Sequence, residues 1–274
     1  MLNRQEYPSL RQGLVGAWCP SLGASGLSLI DRSGRGSRGT LVAPSSNTWT
    51  ASGSGVALAF DGSTQYASLP FSATFGASAT LAMWVKRDSE TPSTLANSGI
   101  IETDSTQLRA THYPYTDGIC YFAVFRLIAN RVSFSPLASV ARTKWHSVVV
   151  TTDGTTYSVY QNGLVAYSGS AQSTVTISSP LLPAASNANG SLVYFGGQMD
   201  DIRLYNRALT LAEVRLLASR RGIGLSPLPD RTAGLPRKLY VNVGGTWRSA
   251  DAYVNVGGSW KLAQASVNVG GTWK

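Results

Sequence analysis

The sequence predicts an all-β protein: an antiparallel two-sheet jelly-roll sandwich, then a linker, then a small module of three β-hairpin repeats. Three observations carry this expectation. The first 218 residues hold eleven apolar or alternating runs of strand length, each bounded by Gly, Asp, Asn or Ser. Glycine is abundant, 28 of 274 residues, and only 14% of residues are charged, the balance of short strands joined by tight turns rather than of helices. The C-terminus repeats one unit three times, YVNVGGTWRSADA, YVNVGGSWKLAQA and SVNVGGTWK, with Val241, Val254 and Val267 on a 13-residue period.

Taken in order, residues 1-12, MLNRQEYPSLRQ, carry no strand pattern and read as an N-terminal arm. They lack the apolar stretch of an export signal, and no run of about 18 apolar residues follows, so neither standard export nor a membrane span is expected. Residues 13-218 hold GLVGAW, VALAFDG, YASLP, ATLAMWVKR, ICYFAVFR, HSVVVTTDG, TYSVYQNG, LVAYSG, STVTIS, SLVYFGG and MDDIRLYN. So many short strands at such spacing indicate a sandwich or jelly roll. In TYSVYQNGLVAYSG, Asn162 and Gly163 supply the two left-handed residues of a type I′ hairpin turn. Trp84 and Trp145 sit in strongly apolar runs and are expected in the core.

One helix is expected in ALTLAEVRLLASRRG. Thr210 caps it, Glu213 completes a capping box, Val214, Leu217 and Ala218 form an apolar stripe, and Gly222 stops it. Residues 219-238, rich in Pro, Gly and Arg, read as a linker. Residues 239-274 are the repeats, each a V-N-V arm, a Gly-Gly turn and an arm holding Trp247, Trp260 or Trp273. A lone hairpin cannot bury its tryptophan. The three rings either cover one another in a self-contained cap or dock on a partner or on sister chains, which makes the module an attachment or oligomerisation device.

Charge divides unevenly. Residues 1-218 hold 15 Lys and Arg against 12 Asp and Glu, whereas residues 219-274 hold 8 against 2. The basic excess suits an acidic surface, or serves as solubilising charge on a linker. No specific nucleic-acid partner is expected. Cys19 and Cys120 have no metal-type spacing, and both read as buried free thiols.

Several segments together are similar to the signature stretches of the laminin-G-like domain of the concanavalin A-like lectin/glucanase superfamily. They are GLVGAW, DRSGRGSRGTL, ALAFDGSTQYASLP, LAMWVKR, WHSVVVTTDG, YQNG and GQMDDIRLYNRALTLAEV, in the family's order over roughly residues 10-218. The resemblance implies a two-sheet antiparallel jelly roll that binds carbohydrate or protein, often with one calcium ion. Asp31 and Ser33 of DRSGRG can donate oxygens to such an ion, and the family pairs this loop with the aspartate here numbered Asp200. Alternation puts Asp200 on the apolar face with Ile202 and Leu204, and Asp201 on the other. The competing reading has Asp31 and Asp200 tying chain segments together through backbone N–H groups, and Arg32, Arg35 and Arg38 crowd the loop with positive charge.

For sugar, the loop RATHYPYTDG gathers His112, Tyr113, Tyr115 and Asp117, aromatic faces beside planar polar groups. The alternative is a loop that packs its own tyrosines. His146 reads as structural. No catalytic residue is expected. A retaining glycosidase needs two nearby carboxyls, and in ETDSTQ Glu102 and Asp104 are followed by Gln107 where the glucanase branch has its acid/base.

The repeats also resemble C-terminal repeats of bacteriophage virion proteins. The expected function is therefore a non-enzymatic virion structural protein, a head or tail appendage or fibre. Its lectin-like domain binds host or environmental glycan, and residues 239-274 hold it to other virion proteins or to copies of itself. It would be assembled in the host cytoplasm and located in the virion. The alternatives are an architectural decoration protein without a sugar ligand and a cell-surface adhesin.

Overall fold

A computed structural model describes residues 7–70, 73–75, 77–94, 98–102, 111–125, 130–171, 175–177, 181–188 and 191–225, with the backbone of six short strands beyond residue 238. Two compact units result, residues 1–227 and 228–274.

The larger unit is built on an eight-stranded antiparallel sheet. Its strands are β1 (Leu14–Trp18), β2 (Trp49–Ala51), β3 (Val56–Asp61), β4 (Ser78–Arg87), β7 (His146–Asp153), β8 (Thr156–Gln161), β9 (Leu164–Ser170) and β10 (Gly196–Tyr205). The hairpin β5 (Cys120–Phe122) and β6 (Val132–Phe134) lies outside this sheet. The order is β9-β8-β7-β4-β10-β3-β2, and β1 also pairs with β10. One side of β10 follows β4; on the other, its first half meets β3 and its second half meets β1. The changeover falls at a bulge between Asp200 and Arg203, where Asp201 takes φ of 50°.

Each of the eleven runs identified in the sequence contains a strand, and β8 turns into β9 through Asn162 and Gly163 at φ of 50° and 75°. Alternation splits the apolar side chains between two clusters. Leu81, Met83, Val85, Val148, Val150, Ile202 and Leu204 enter the larger core. There they meet residues of the short strands outside the main sheet, among them Leu41, Ile101, Phe122 and Phe134. Ala17, Ala82, Val149 and Tyr205, on the opposite face, enter a second cluster with Val214 and Leu217 of the helix α1 (Leu211–Leu217). The Thr210–Glu213 capping box forms as expected.

Three expectations need correction. Residues 7–12 are not a free arm: Leu10 is fully buried in the second cluster, and Arg207 donates to the carbonyls of Ser9 and Gln12. Nor does the linker begin at 219. Ile223 and Leu225 are buried, Arg11 Nε donates to the Gly224 carbonyl, and residues 219–225 close over the outer face of the sheet. Trp84 and Trp145 are half-buried rather than core. Trp84 donates to the Leu217 carbonyl on the helix side, and the Arg221 guanidinium lies 4.2 Å from the Trp145 ring.

The smaller unit contains three two-stranded antiparallel pairs: β11 (Leu239–Val243) with β12 (Thr246–Ala250), β13 (Tyr253–Val256) with β14 (Ser259–Leu262), and β15 (Asn268–Val269) with β16 (Thr272–Trp273). The register repeats, setting Asn242, Asn255 and Asn268 opposite Trp247, Trp260 and Trp273. The Gly-Gly corners, and what the three indoles touch, lie outside the described residues.

Candidate functional site

The segment expected to bind sugar divides into a buried half and a surface half. His112 forms isolated bridges to Gly99 and to Tyr121 of β5, and Thr111, His112 and Tyr113 are buried. Tyr113 is 0% exposed. Its hydroxyl accepts from Gln161 Nε2 at 2.6 Å and meets His146 Nε2 at 2.8 Å, while His146 Nδ1 donates to the Lys144 carbonyl. With Nδ1 carrying the proton, Nε2 accepts from Tyr113, so the chain runs from amide to phenol to imidazole to carbonyl. The expectation that Tyr113 stacks on sugar is thereby corrected: it is a core group. His112, 3% exposed, is also inaccessible as a platform, with Nδ1 2.7 Å from Ser98 Oγ.

Tyr115 and Asp117 remain at the surface. Tyr115 and Ile119 close a turn through an amide–carbonyl bond of 2.8 Å, and Asp117 Oδ1 accepts from the Ile119 amide. Asp117 Oδ2 accepts from the Tyr121 hydroxyl at 2.7 Å. These donors hold the Asp117 carboxyl below the usual carboxylate range, so it stays ionised at neutral pH. The Tyr115 and Tyr121 rings meet edge to face at 5.7 Å, and the exposed Arg131 lies 4.5 Å from the Tyr121 centroid. The result is two half-exposed aromatic rings, an ionised acceptor and a fork of donors on one surface, a set that can hold a pyranose by stacking and by its hydroxyls.

Tyr121 and Arg131 were not singled out from the sequence. Alternation within ICYF was the available signal for Tyr121, since Cys120 and Phe122 turn inward. Arg131 gave none. Glu102 lies on the two-residue strand Ile101–Glu102, and Asp104 and Gln107 lie outside the described residues.

The calcium ligands can be tested against their hydrogen bonds. Asp31 Oδ1 accepts from the amides of Ala17 and Ser33, and Oδ2 from the Ser33 hydroxyl and the Ser37 amide, all within 3.0 Å. Asp200 does not share the face of Ile202 and Leu204. The bulge turns it toward Cys19, and its Oδ1 accepts from the Ser21 and Asp201 amides and from Cys19 Sγ. Its Oδ2 lies 3.4 Å from Arg221 Nη1. Among the described residues no three His, Cys, Asp or Glu side chains converge to hold a metal. Calcium requires six to eight oxygens; here N–H groups and a hydroxyl take both oxygens of Asp31, Asp200 Oδ1 is likewise taken, and Asp200 Oδ2, which makes no hydrogen bond, faces a guanidinium, so the donor set does not fit the ion. Adding calcium or a chelator is therefore expected to leave the melting temperature unchanged; a saturable rise with calcium would contradict this geometry.

Asp201 belongs to the same buried cluster. Arg203 Nε and Nη2 donate to its two oxygens at 2.7 and 2.9 Å, and the Gly222 amide donates to Oδ2 at 2.8 Å. Burial pushes the Cys19 and Cys120 thiols well up, as suits inert, free cysteines.

Comparison with solved structures gives the fold independently. Domain 4 of AbnA, an extracellular arabinanase from Geobacillus stearothermophilus solved with arabinotriose, has a TM-score of 0.56 at 19% identity, covering 75% of this chain and 98% of that one. The receptor-binding domain of botulinum neurotoxin D has a TM-score of 0.55 at 11% identity, with 76% and 53% covered. Trypanosoma rangeli sialidase has a TM-score of 0.53 at 20% identity, with 75% and 32% covered, so the chain spans about half of the toxin domain and a third of the sialidase. At these identities the likeness shows fold alone. No curated protein sequence matches the chain. Residues 61–215, more than half of the chain, match the concanavalin A-like lectin/glucanases family, and the protein belongs to that superfamily.

Proposed function

We propose that this protein is a non-enzymatic bacteriophage virion component whose sandwich binds glycan and whose C-terminal hairpins hold it on the particle. The observation that carries the binding reading is the surface formed by Tyr115, Asp117, Tyr121 and Arg131 on a lectin-type sandwich. Two structural neighbours support it, one solved with arabinotriose and one named for receptor binding. Against hydrolysis stands Gln107, which cannot supply a proton as the acid/base of a glycosidase must. The virion reading is supported by the three tandem hairpins and their 13-residue period. Display in many copies would turn a weak site into firm attachment.

A glycan array probed with the intact protein tests the binding half. Glycan retention is expected, and Tyr115→Ala, a change in a surface turn, is expected to weaken it by about tenfold, the order of one lost stacking contact, with an unchanged melting temperature. Absence of retention on any glycan would sink the lectin reading. That outcome would favour an architectural decoration protein, to which the packing of Tyr115 against His112 at 4.9 Å lends weight. Deleting residues 239-274 tests the attachment half: particles that incorporate the shortened protein at full occupancy would refute it.

A further inference from the structure

Arg32 is a buried charge whose side chain finds no hydrogen-bond partner among the described residues. Its side chain is 8% exposed, and its Nε and Nη1 atoms are buried without a hydrogen-bond partner. Only its main chain is engaged, the amide donating to the Ala17 carbonyl and the carbonyl accepting from Arg11 Nη1. Asp31 gives no help, since both its oxygens are taken by Ala17, Ser33 and Ser37. Asp200 is near enough for its charge to favour the guanidinium, yet its hydrogen bonds go to Cys19, Ser21 and Asp201, and Arg221 pairs with it. Burial accordingly pulls the Arg32 pKa down. A cation taken out of water with two donors unused is costly, and an anion supplied from outside removes that cost.

The surroundings provide a way in. Arg32 lines a small open indentation with Pro20, Gly23, Ser25, Leu29 and Trp49. Arg32 Nη2 lies 3.7 Å from where a side chain on Gly23 would begin, so the absent side chain leaves the guanidinium uncovered from that direction. Trp49, half-buried on edge strand β2, is held by its Nε1 donating to the Gly26 carbonyl at 2.7 Å. Arg35 and Arg38, both exposed, add positive charge on the same loop. The Arg32 Nη2 on the Gly23 side, beside an aromatic plane that lines the same indentation, suits a carboxylate attached to a sugar ring.

We propose that this indentation, floored by Arg32 and flanked by Trp49, is an oxyanion site that takes the carboxylate of an acidic saccharide with the sugar ring against the indole. It shares no residue with the Tyr115 surface and does not depend on it. Inorganic phosphate offers the same charge without a ring, so it separates a bare oxyanion site from a saccharide site.

The test uses the full chain in a buffer free of carboxylate, phosphate and sulfate, with calorimetric melting against glucuronate, inorganic phosphate and glucose. A saturable rise in melting temperature is expected with glucuronate and a smaller one with phosphate, whereas any response to glucose, which lacks the carboxylate, should be the same in the parent and in Arg32→Met. Arg32→Met keeps the bulk and removes the uncompensated charge. It is expected to melt above the parent without titrant and to respond to neither anion. Arg32→Lys keeps the charge but not the fork and should weaken glucuronate by at least about tenfold, which keeps the test open if the Met variant folds poorly. Trp49→Ala should abolish the advantage of glucuronate over phosphate, whereas Tyr115→Ala should leave the glucuronate response intact. A parent that responds to neither anion, or an Arg32→Met variant that responds like the parent, overturns the site. Equal responses to both anions, unchanged by Trp49→Ala, overturn the saccharide assignment.

Discussion

Asp201→Asn is expected to cost about 3–5 kcal/mol of folding stability, the range for breaking a buried ion pair from one side. Asp201 and Arg203 are 2% and 0% exposed, and the pair is bidentate. Asparagine tolerates the left-handed backbone that Asp201 adopts, so the variant removes charge and leaves the bulge its geometry. What remains is a guanidinium whose Nη1 already lacks a partner, now facing a neutral amide. The Gly222 amide also loses a charged acceptor, which loosens residues 219–225 over the sheet. Arg203→Met added to Asp201→Asn should recover part of the loss, because it removes the stranded cation. By contrast Glu90, half-exposed beside Arg142, belongs to a pair worth at most about 1 kcal/mol. Urea unfolding at neutral pH reads both variants, and a cost under about 1 kcal/mol for Asp201→Asn would contradict a sealed pair.

Mild acid should be the second large effect. The chain has two histidines, His112 and His146, and both are buried. Burial lowers each to about 4, aided by Arg131 beside His112 and by Arg142 and Arg87 around His146, with Asp117, Glu90 and the Lys144 carbonyl opposing. A folded pKa below the unfolded value of about 6.5 means the fold favours neutral imidazole. That contribution is fully present above about pH 6.5 and is lost as pH falls through 4, on the order of 3 kcal/mol per histidine. Asp200 has the opposite sign. Burial and Asp201 raise it to about 6, so its penalty is present above pH 6 and disappears on acidification, offsetting about one histidine. Glu213, lowered to about 2 by Arg207 and the Thr210 cap, adds a further loss at lower pH. The net expectation is a stability that falls by several kcal/mol between pH 6.5 and 4, and a shallower fall in His146→Gln. A flat profile across that window would contradict the buried neutral imidazoles.

The sheet was legible because its strands are long enough to show a period. Val148, Val149 and Val150, and Leu81 through Val85, separate into two faces in the way alternation requires. The short strands Trp49–Ala51, Leu182–Pro183 and Ala185–Ala188 were missed, since two to four residues carry no period. The ends of the domain were misplaced for a related reason. Leu10, Ile223 and Leu225 are single apolar residues set between polar residues or glycines, and only their meeting in space makes a cluster. Alternation alone puts Asp200 on the wrong face because a bulge through a left-handed aspartate shifts the pattern by one residue and leaves no mark in composition.

At the site, Tyr115 and Asp117 of HYPYTDG lie at the surface, as residues of a turn do, and Tyr113 does not. Its bridging neighbour His112 draws it inward to His146 and Gln161, residues 33 and 48 positions away. Arg32 entered the sequence reading only as crowding charge. That its neighbours leave it unpaired is a property of the packed loop, in which Asp31 spends its oxygens on the amides beside it.

The most direct measurement is residue-resolved NMR of the intact protein titrated with a neutral oligosaccharide retained on the array. Saturable shifts are expected at Tyr115, Asp117, Tyr121 and Arg131, with the Tyr113–His146 core unmoved. Shifts that saturate elsewhere on the sandwich, or no saturable shift at all, would contradict that site.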